Sequence, residues 1–181
     1  ILETGLGEHL GIPISYFPNT THLGLVLPSN SPGVNSLWLP ALALRIPVIL
    51  KPGREDPWTP WRIINALLAA GCPAEAFGFY PADHEGANVV LSECQRVIMF
   101  GDAKTVERHA GDPRVSVHGP GYSKIILGED QVEDWPKYLD ILATSVAGNG
   151  GRSCVNASTI VVPRHGKEIA EALAERLAAI T

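Results

Sequence analysis

Short apolar runs of strand length recur along the first two thirds of the chain, and a stretch of helical character separates each run from the next. The apolar runs lie at 23–27, 47–50, 76–80, 96–100 and 114–117. The intervening stretches cover 34–44, 58–70, 85–92 and 103–110. Strands that alternate with helices pair in parallel through right-handed crossovers. The pattern therefore predicts an α/β fold whose open, parallel, five-stranded sheet carries helices on both faces, with ligands at the carboxyl ends of the strands.

The alternation changes after the segment 118–121. A short strand at 125–127, a long helix over 131–147, a strand at 159–162 and an amphipathic helix over 167–180 follow in that order. We therefore predict three parts: an irregular lead-in at 1–22, a first domain at 23–119 and the start of a second, incomplete α/β domain at 120–181. Within the lead-in, 10–17 is a candidate strand or part of an arm. Because the chain lacks an initial methionine and ends as a helix completes, we expect it to be part of a longer protein.

Composition and charge exclude several classes of protein. The net charge is −5 and the basic residues are scattered, so we expect no nucleic-acid partner. Hydrophobic residues make up 45% of the chain, yet no apolar run approaches the roughly 20 residues that span a bilayer. Three cysteines without paired spacing argue against disulfides and for a reducing, cytoplasmic location. The histidines lack metal-ligand spacing, so we predict no metal site.

One cysteine stands in a setting that suggests chemistry. Cys154 follows the glycine-rich stretch 148–151, whereas Cys72 and Cys94 have no such surroundings and are interpreted as structural. A lone cysteine is more often a small buried hydrophobic residue than a nucleophile. Glycines, however, let backbone N–H groups come close to a reacting oxygen. We therefore take Cys154 as the candidate nucleophile.

No G-x-G-x-x-G follows any predicted strand, so the usual dinucleotide fingerprint is absent. Five other landmarks occur in a fixed order after successive elements, namely Pro28–Pro32, Lys51-Pro52, Gly101-Asp102, Gly119–Gly121 and Gly151–Cys154. In their order and spacing they resemble the aldehyde dehydrogenase superfamily over about residues 23–165. The resemblance implies a Rossmann-like dinucleotide-binding domain at 23–119, followed by a catalytic domain that begins in 120–181.

The resemblance also implies a reaction. The Cys154 thiolate would attack an aldehyde, and the Asn30 side-chain amide would stabilise the oxyanion together with the Cys154 backbone N–H. Loss of one such donor typically costs about 10²–10³ in rate. Oxidation would yield a thioester on the cysteine. The implied partner is a small aldehyde or acyl substrate, and a homo-oligomer is expected for the complete protein.

NAD or NADP is the implied cofactor. Pro28, Ser29, Pro52, Gly101 and Gly119 belong to the strand-end turns that would line its site. The resemblance assigns Lys51 to the adenosine ribose. Glu55 is the nearest candidate for the acid that holds the 2′-hydroxyl, although Arg54 occupies the closer spacing, and a cation there would instead accept a 2′-phosphate. The choice between NAD and NADP stays open.

Two positions depart from the family pattern. Asp102 replaces the usual serine of a Gly-Ser pair, and its charge would repel phosphate unless the side chain turns away to cap the following helix. His118 replaces the glutamate that activates water in hydrolytic members. Histidine could itself be the base. Alternatively the acyl group passes to or from coenzyme A, since Gly119–Gly121 resembles the CoA-acylating members while the Cys154 context resembles the hydrolytic ones. A noncatalytic relative is the third alternative.

Overall fold

The computed structural model describes residues 6–180, and the chain divides into two compact units between Gly119 and Pro120. The strands of the first unit are β1 (Leu6–His9), β2 (Ile12–Ser15), β3 (Leu23–Val26), β4 (Val48–Lys51), β5 (Phe77–Phe79), β6 (Arg96–Phe100) and β7 (Val115–His118). Its α-helices are α1 (Leu39–Ala43), α2 (Trp58–Ala69), α3 (His84–Glu93) and α4 (Ala103–His109). The second unit contains β8 (Lys124–Ile126), β9 (Thr159–Val161), α5 (Leu139–Ala147) and α6 (Gly166–Ala178).

Five strands of the first unit form a parallel sheet in the order β5-β4-β3-β6-β7. The central strand β3 places Val26 between Lys51 of β4 and Met99 of β6. The predicted open, parallel, five-stranded sheet is confirmed, and the observed strand ends lie within one residue of the predicted ones. Because all five strands run the same way, their carboxyl ends, and the turns after them, share one edge of the sheet.

Helices cover both faces of this sheet, as the pattern predicted. On one face Leu25 and Leu50 pack with Trp38 and Ile64, and all four side chains are buried. On the opposite face Val26 and Val97 pack with Val90 of α3 and with Cys94, which directly follows that helix. A parallel sheet buried on both faces needs apolar residues at successive positions, which is why the strands read as continuous apolar runs.

Helix α3 approaches the sheet so closely that only glycine fits beneath it. A β-carbon added to Gly24 would lie 2.8 Å from a Val90 methyl and 2.9 Å from the Cys94 sulfur. Cys94 itself is only 1% exposed, and burial raises the pKa of its thiol, so the sulfur stays protonated at neutral pH. Both observations agree with a packing role for Cys94.

Two predicted helices are interrupted. The stretch 34–44 is a 3₁₀ helix at Pro32–Leu37 followed by α1, and the stretch 131–147 is a 3₁₀ helix at Val132–Tyr138 followed by α5. Proline has no N–H to donate to the preceding turn, and Pro40 and Pro136 lie in these segments. The hydrophobic spacing shows that these segments pack as helices, but it does not distinguish the tighter 3₁₀ geometry.

The lead-in predicted to be irregular contains a regular hairpin over residues 6–15, which corrects that expectation. Strands β1 and β2 pair antiparallel, and Leu10 (φ 52°) and Gly11 (φ 78°) form the turn between them. Most side chains of both strands are exposed, so no alternation between buried and solvated positions marks them in the sequence. Residues 1–5 of the lead-in lie outside the described part of the chain.

The second unit is built on two parallel strands and two helices. Strand β8 pairs with β9, and α5 packs against α6. Leu127, Val132, Leu142 and Ile169 are buried in this unit. Arg164, in the loop before α6, pairs with both Glu129 and Glu133 and so ties that loop to the segment after β8. Among residues 6–180, no helix combines the length and the apolar character that crossing a membrane requires.

Candidate active site

Cys154 lies on an exposed turn of the second unit, between α5 and β9. The Asn156 backbone N–H donates to the Ser153 carbonyl at 3.0 Å, which closes a turn over Ser153–Asn156 with Cys154 as its second residue. The Ser153 N–H in turn donates to the Asn156 side-chain oxygen at 2.8 Å. The sulfur therefore stands on a doubly closed turn and is accessible to solvent.

The glycines before Cys154 are required by the backbone itself. Asn149, Gly150 and Gly151 have φ values of 54°, 65° and 70° in succession. Left-handed conformations are unfavourable for residues with a β-carbon, and asparagine tolerates them better than most. These three residues reverse the chain at the end of α5 and direct it into the Cys154 turn.

Gly121 lies directly against the backbone of the same turn. A β-carbon added to Gly121 would lie 2.5 Å from the Cys154 carbonyl carbon and 2.7 Å from its Cα. Two residues later, the Ser123 hydroxyl donates to the Cys154 carbonyl oxygen at 3.4 Å. Within the second unit, Gly121 and the candidate nucleophile are thus in direct backbone contact.

In the first unit, the turns after β3 and β4 pack together. The Ser29 hydroxyl oxygen accepts the backbone N–H groups of Glu55 and Asp56 at 3.0 and 3.1 Å. A β-carbon on Gly53 would lie 2.6 Å from the Pro28 carbonyl carbon, so the two backbones touch. The structure therefore brings the predicted residues of the Pro28–Pro32 and Lys51-Pro52 landmarks together at the carboxyl edge of the sheet.

The side chains predicted to contact the adenosine end of a cofactor differ in exposure. Pro52 is buried and Lys51 is half-buried at the end of β4. Arg54 and Glu55 are 93% and 81% exposed, and their charged groups lie 3.9 Å apart. An exposed pair at this distance contributes little to stability, so both side chains are available to a ligand. Asn30 is exposed in the turn after β3.

The Asp102 side chain caps the N-terminus of α4, which is one of the two orientations that the sequence allowed. Its Oδ1 accepts the backbone N–H and the hydroxyl of Thr105, both at 2.8 Å. These bonds, with the backbone bond the larger cause, lower the pKa of the carboxyl below its usual 3.8. The carboxylate is folded back onto its own helix, as the capping alternative required. A β-carbon on Gly101, the residue before it, would meet the Thr105 side chain.

Replacing this cap is expected to destabilise α4. Asp102→Ala should lower the melting temperature by about 2–4 °C at neutral pH, whereas Asp102→Asn, which keeps an oxygen acceptor, should change it less. A carboxyl whose pKa is lower in the folded state than in the unfolded state stabilises the fold at pH values above the unfolded-state pKa. This stabilisation is lost as the pH falls through the folded-state pKa. The difference in melting temperature between wild type and Asp102→Ala, which is the gap to be measured, should therefore narrow below about pH 3.8. Thermal melts followed by circular dichroism at several pH values measure both effects, and a gap that widens in acid would contradict the assignment.

His118 ends β7 and lies against the neighbouring strand. Its ring stacks on Phe100 with centroids 4.8 Å apart, and its Nε2 is 3.3 Å from the Ser116 hydroxyl. The Gly101 N–H donates to the His118 carbonyl at 3.1 Å, which joins the turns after β6 and β7. Gly119 follows directly, and a β-carbon there would lie 2.6 Å from a Val106 methyl of α4.

Three polar residues escaped the sequence reasoning. Asn35 is buried, donates to the Pro32 carbonyl at 3.0 Å and accepts from the Trp38 indole at 3.0 Å. Asp56, two residues before α2, accepts the Thr59 N–H and hydroxyl of the first helical turn, and the hydroxyl bond is the main cause of its lowered pKa. Asn156 holds the Cys154 turn. The spacing of Asp56 to Thr59 is a readable capping signal, but nothing local marks Asn35 or Asn156.

No cluster of three or more metal-binding side chains occurs among residues 6–180.

Comparison with known proteins identifies the family of this chain. A family model described as the aldehyde dehydrogenase family matches residues 18–181. An aminoacetaldehyde dehydrogenase of Pseudomonas aeruginosa is 32% identical over 172 residues, covering 87% of this chain and 33% of that protein. The chain thus spans about a third of the length of the curated relatives it matches.

Solved structures show the same fold. An indole-3-acetaldehyde dehydrogenase in complex with NAD+ has a TM-score of 0.75 and 26% identity, covering 90% of this chain and 35% of that one. An aldehyde dehydrogenase of Bacillus cereus in an NAD+ complex has a TM-score of 0.74 over the same shares, and at 23% identity it bears on the fold alone. The family model, the relatives and the fold together show that this chain belongs to the aldehyde dehydrogenase family.

Proposed function

We propose that the protein is an NAD(P)-dependent aldehyde dehydrogenase in which Cys154 is the nucleophile. The observation that carries the proposal is the exposed, doubly closed turn on which this cysteine stands, one residue after three left-handed residues and against the backbone of Gly121. A thiol held in this way is open to a small substrate and fixed in position, which lowers the entropic cost of attack. Membership of the family supports the same reaction.

The chain's own groups perform the carbonyl chemistry. The Cys154 thiolate forms a C–S bond to the aldehyde carbon, and the carbonyl π electrons move to oxygen. We assign the Asn30 amide and the Cys154 backbone N–H as donors to that oxyanion, following the family pattern. A bound nicotinamide nucleotide would supply the hydride acceptor, and loss of hydride from the adduct would leave a thioester on Cys154.

The residues of the first unit fit a dinucleotide. The landmark turns lie at the carboxyl edge of a parallel sheet, where such ligands bind in open α/β folds. Lys51 would hold the adenosine ribose, while Pro28, Ser29, Pro52, Gly101 and Gly119 would line the site. The Asp102 carboxylate is bonded to Thr105 and turned back onto its own helix, as a phosphate group near this turn would require. Arg54 and Glu55 are both free to face solvent and would decide between NADP and NAD.

Release of the acyl group has two candidate routes. His118 presents an imidazole, a group that can serve as a general base toward water. Its ring, however, is stacked on Phe100 and faces the Ser116 hydroxyl. This packing, together with the resemblance of Gly119–Gly121 to the CoA-acylating members, favours transfer to coenzyme A as the second candidate. A cytoplasmic location and a homo-oligomer remain predictions from sequence.

The test is an assay of the complete gene product. We expect NADH or NADPH to form only when an aldehyde is added, with acetaldehyde, aminoacetaldehyde and indole-3-acetaldehyde as probes. The reaction is run with and without coenzyme A, and mass spectrometry then shows whether the product is a carboxylic acid or an acyl-CoA. Calorimetric titration with NAD and NADP covers the noncatalytic alternative. No heat from either nucleotide, together with no aldehyde-dependent reduction, would overturn the proposal.

A further inference from the structure

We propose that Asn156 is a positioning residue for the Cys154 nucleophile, an inference that rests on the proposed function. Its side chain makes three hydrogen bonds, two as donor and one as acceptor. The amide nitrogen donates to the carbonyls of Ser145 at 3.1 Å and Gly148 at 2.9 Å. The amide oxygen accepts the Ser153 N–H at 2.8 Å. One carboxamide thus joins the end of α5 to the turn that carries the sulfur.

The two carbonyls that Asn156 binds belong to the exit of α5. The last carbonyls of a helix have no partner within the helix and need one from outside. The Ser145 carbonyl also accepts the Ala157 N–H at 2.9 Å. The backbone directly after Asn156 is therefore bonded to the helix as well. Helix α5 is in turn anchored in the unit by buried Leu142 and Ala143. The position of the Cys154 turn therefore derives from a packed helix and is transmitted through Asn156.

The intervening segment cannot transmit that position by itself. Residues 149–151 all have positive φ and are exposed, and two of them are glycines. Glycine loses more conformational freedom on ordering than any other residue, so this segment is inherently the least rigid part of the connection. Asn156 bypasses it, because its bonds run from Ser153 to Gly148 and Ser145 directly. Without them, the Cys154 turn would keep the Ala157 N–H bond to Ser145, the Ser123 bond and the Gly121 contact, but it would lose the bonds that join Ser153 to the end of α5.

Aldehyde oxidation needs the sulfur in one place, whereas alkylation by a small soluble reagent does not. A misplacement of about 1 Å can cost about 10²-fold in rate. Asn156→Ala adds no charge near the thiol, so its pH profile for alkylation should be preserved. We therefore expect kcat for aldehyde oxidation to fall at least about tenfold, KM to change by less than about threefold, and iodoacetamide alkylation of Cys154 to change by less than about threefold.

The experiment counts reactive thiols before comparing rates. Alkylation of the tryptic peptide Ser153–Arg164 is followed by mass spectrometry across pH, and kcat is expressed per reactive Cys154. Asn156→Ser, which replaces the carboxamide by a shorter polar hydroxyl, serves as a second variant in case the alanine form folds poorly. Asn65→Ala is the matched control, because Asn65 makes one exposed bond, to the Trp61 carbonyl, within α2. We expect this control to keep wild-type kcat.

The outcomes separate this inference from the proposed function. A fall in kcat per reactive thiol in both Asn156 variants, with an unchanged alkylation pH profile, supports the positioning role. A lower melting temperature with unchanged kcat per reactive thiol would overturn it, since the residue would then only stabilise the fold. A shifted alkylation profile would also overturn it, because Asn156 would then act on the ionisation of the thiol. Failure of the proposed function would appear elsewhere, as wild-type activity in a protein whose Cys154 is replaced.

Discussion

Replacement of Cys154 by serine is expected to reduce aldehyde-dependent formation of NADH or NADPH by at least about 10³-fold. The thiolate is the nucleophile in the proposed reaction, and a serine hydroxyl has no adjacent base in this turn to activate it. Losses of this size or greater follow removal of an enzyme's nucleophile. The side chain is exposed, and the bonds that close the turn use Ser153 and Asn156, so the fold should be unaffected.

Two measurements make this result specific to the chemical step. Cys72→Ser is the matched control, because Cys72 is half-buried in the loop after α2 and is the other cysteine that is not sealed in the core. It should keep activity close to that of wild type, because Cys72 belongs to none of the segments assigned to the cofactor or to the reaction. Calorimetry with the nicotinamide nucleotide should give the same affinity for Cys154→Ser and wild type. Retention of a tenth or more of the activity by Cys154→Ser would end the case for this nucleophile.

Most of the first unit could be predicted because its strands are buried on both faces. Val26 and Leu25 point to opposite sides of the sheet, and both are covered, so the sequence shows a continuous apolar run. The hairpin at 6–15 gives no such signal because its strands are exposed. The 3₁₀ segments were missed for a different reason: a residue packed on the core satisfies much the same spacing in a 3₁₀ turn as in an α-helical one. Burial, not backbone geometry, is what the pattern records.

The features of the candidate site that follow from the order of strands and turns along the chain could be predicted from sequence. Those that depend on side-chain contacts formed only in the folded chain could not. Parallel strands bring successive turns to one edge, so the Pro28–Pro32 and Lys51-Pro52 landmarks could be placed together from sequence. The Asp102 cap could also be foreseen, since an acid before a helix is a common cap. The bonds from Asn156 to Ser145 and Gly148 could not, because they depend on how three left-handed residues reverse the chain.

Gly121→Ala is expected to disturb the nucleophile without touching it chemically. The added methyl would lie 2.5 Å from the Cys154 carbonyl carbon, and both atoms belong to the backbone or are attached directly to it. No side-chain rotation can relieve that overlap, so one of the two segments must shift. Overpacking of this kind typically costs about 1–3 kcal/mol. A displaced sulfur should in addition lower kcat by about 10²-fold, since attack depends on its position.

Gly166→Ala provides the matched comparison within the same unit. A β-carbon there would meet a Val162 methyl at 3.6 Å, an ordinary contact, so the variant should melt and turn over like wild type. Aldehyde oxidation and thermal melts of both variants, with kcat expressed per alkylatable Cys154, measure the difference. If Gly121→Ala loses stability while kcat per thiol stays at the Gly166→Ala level, the Gly-Pro-Gly segment supports the fold only. A loss confined to kcat, or shared between kcat and stability, identifies the segment as the support on which the nucleophile rests.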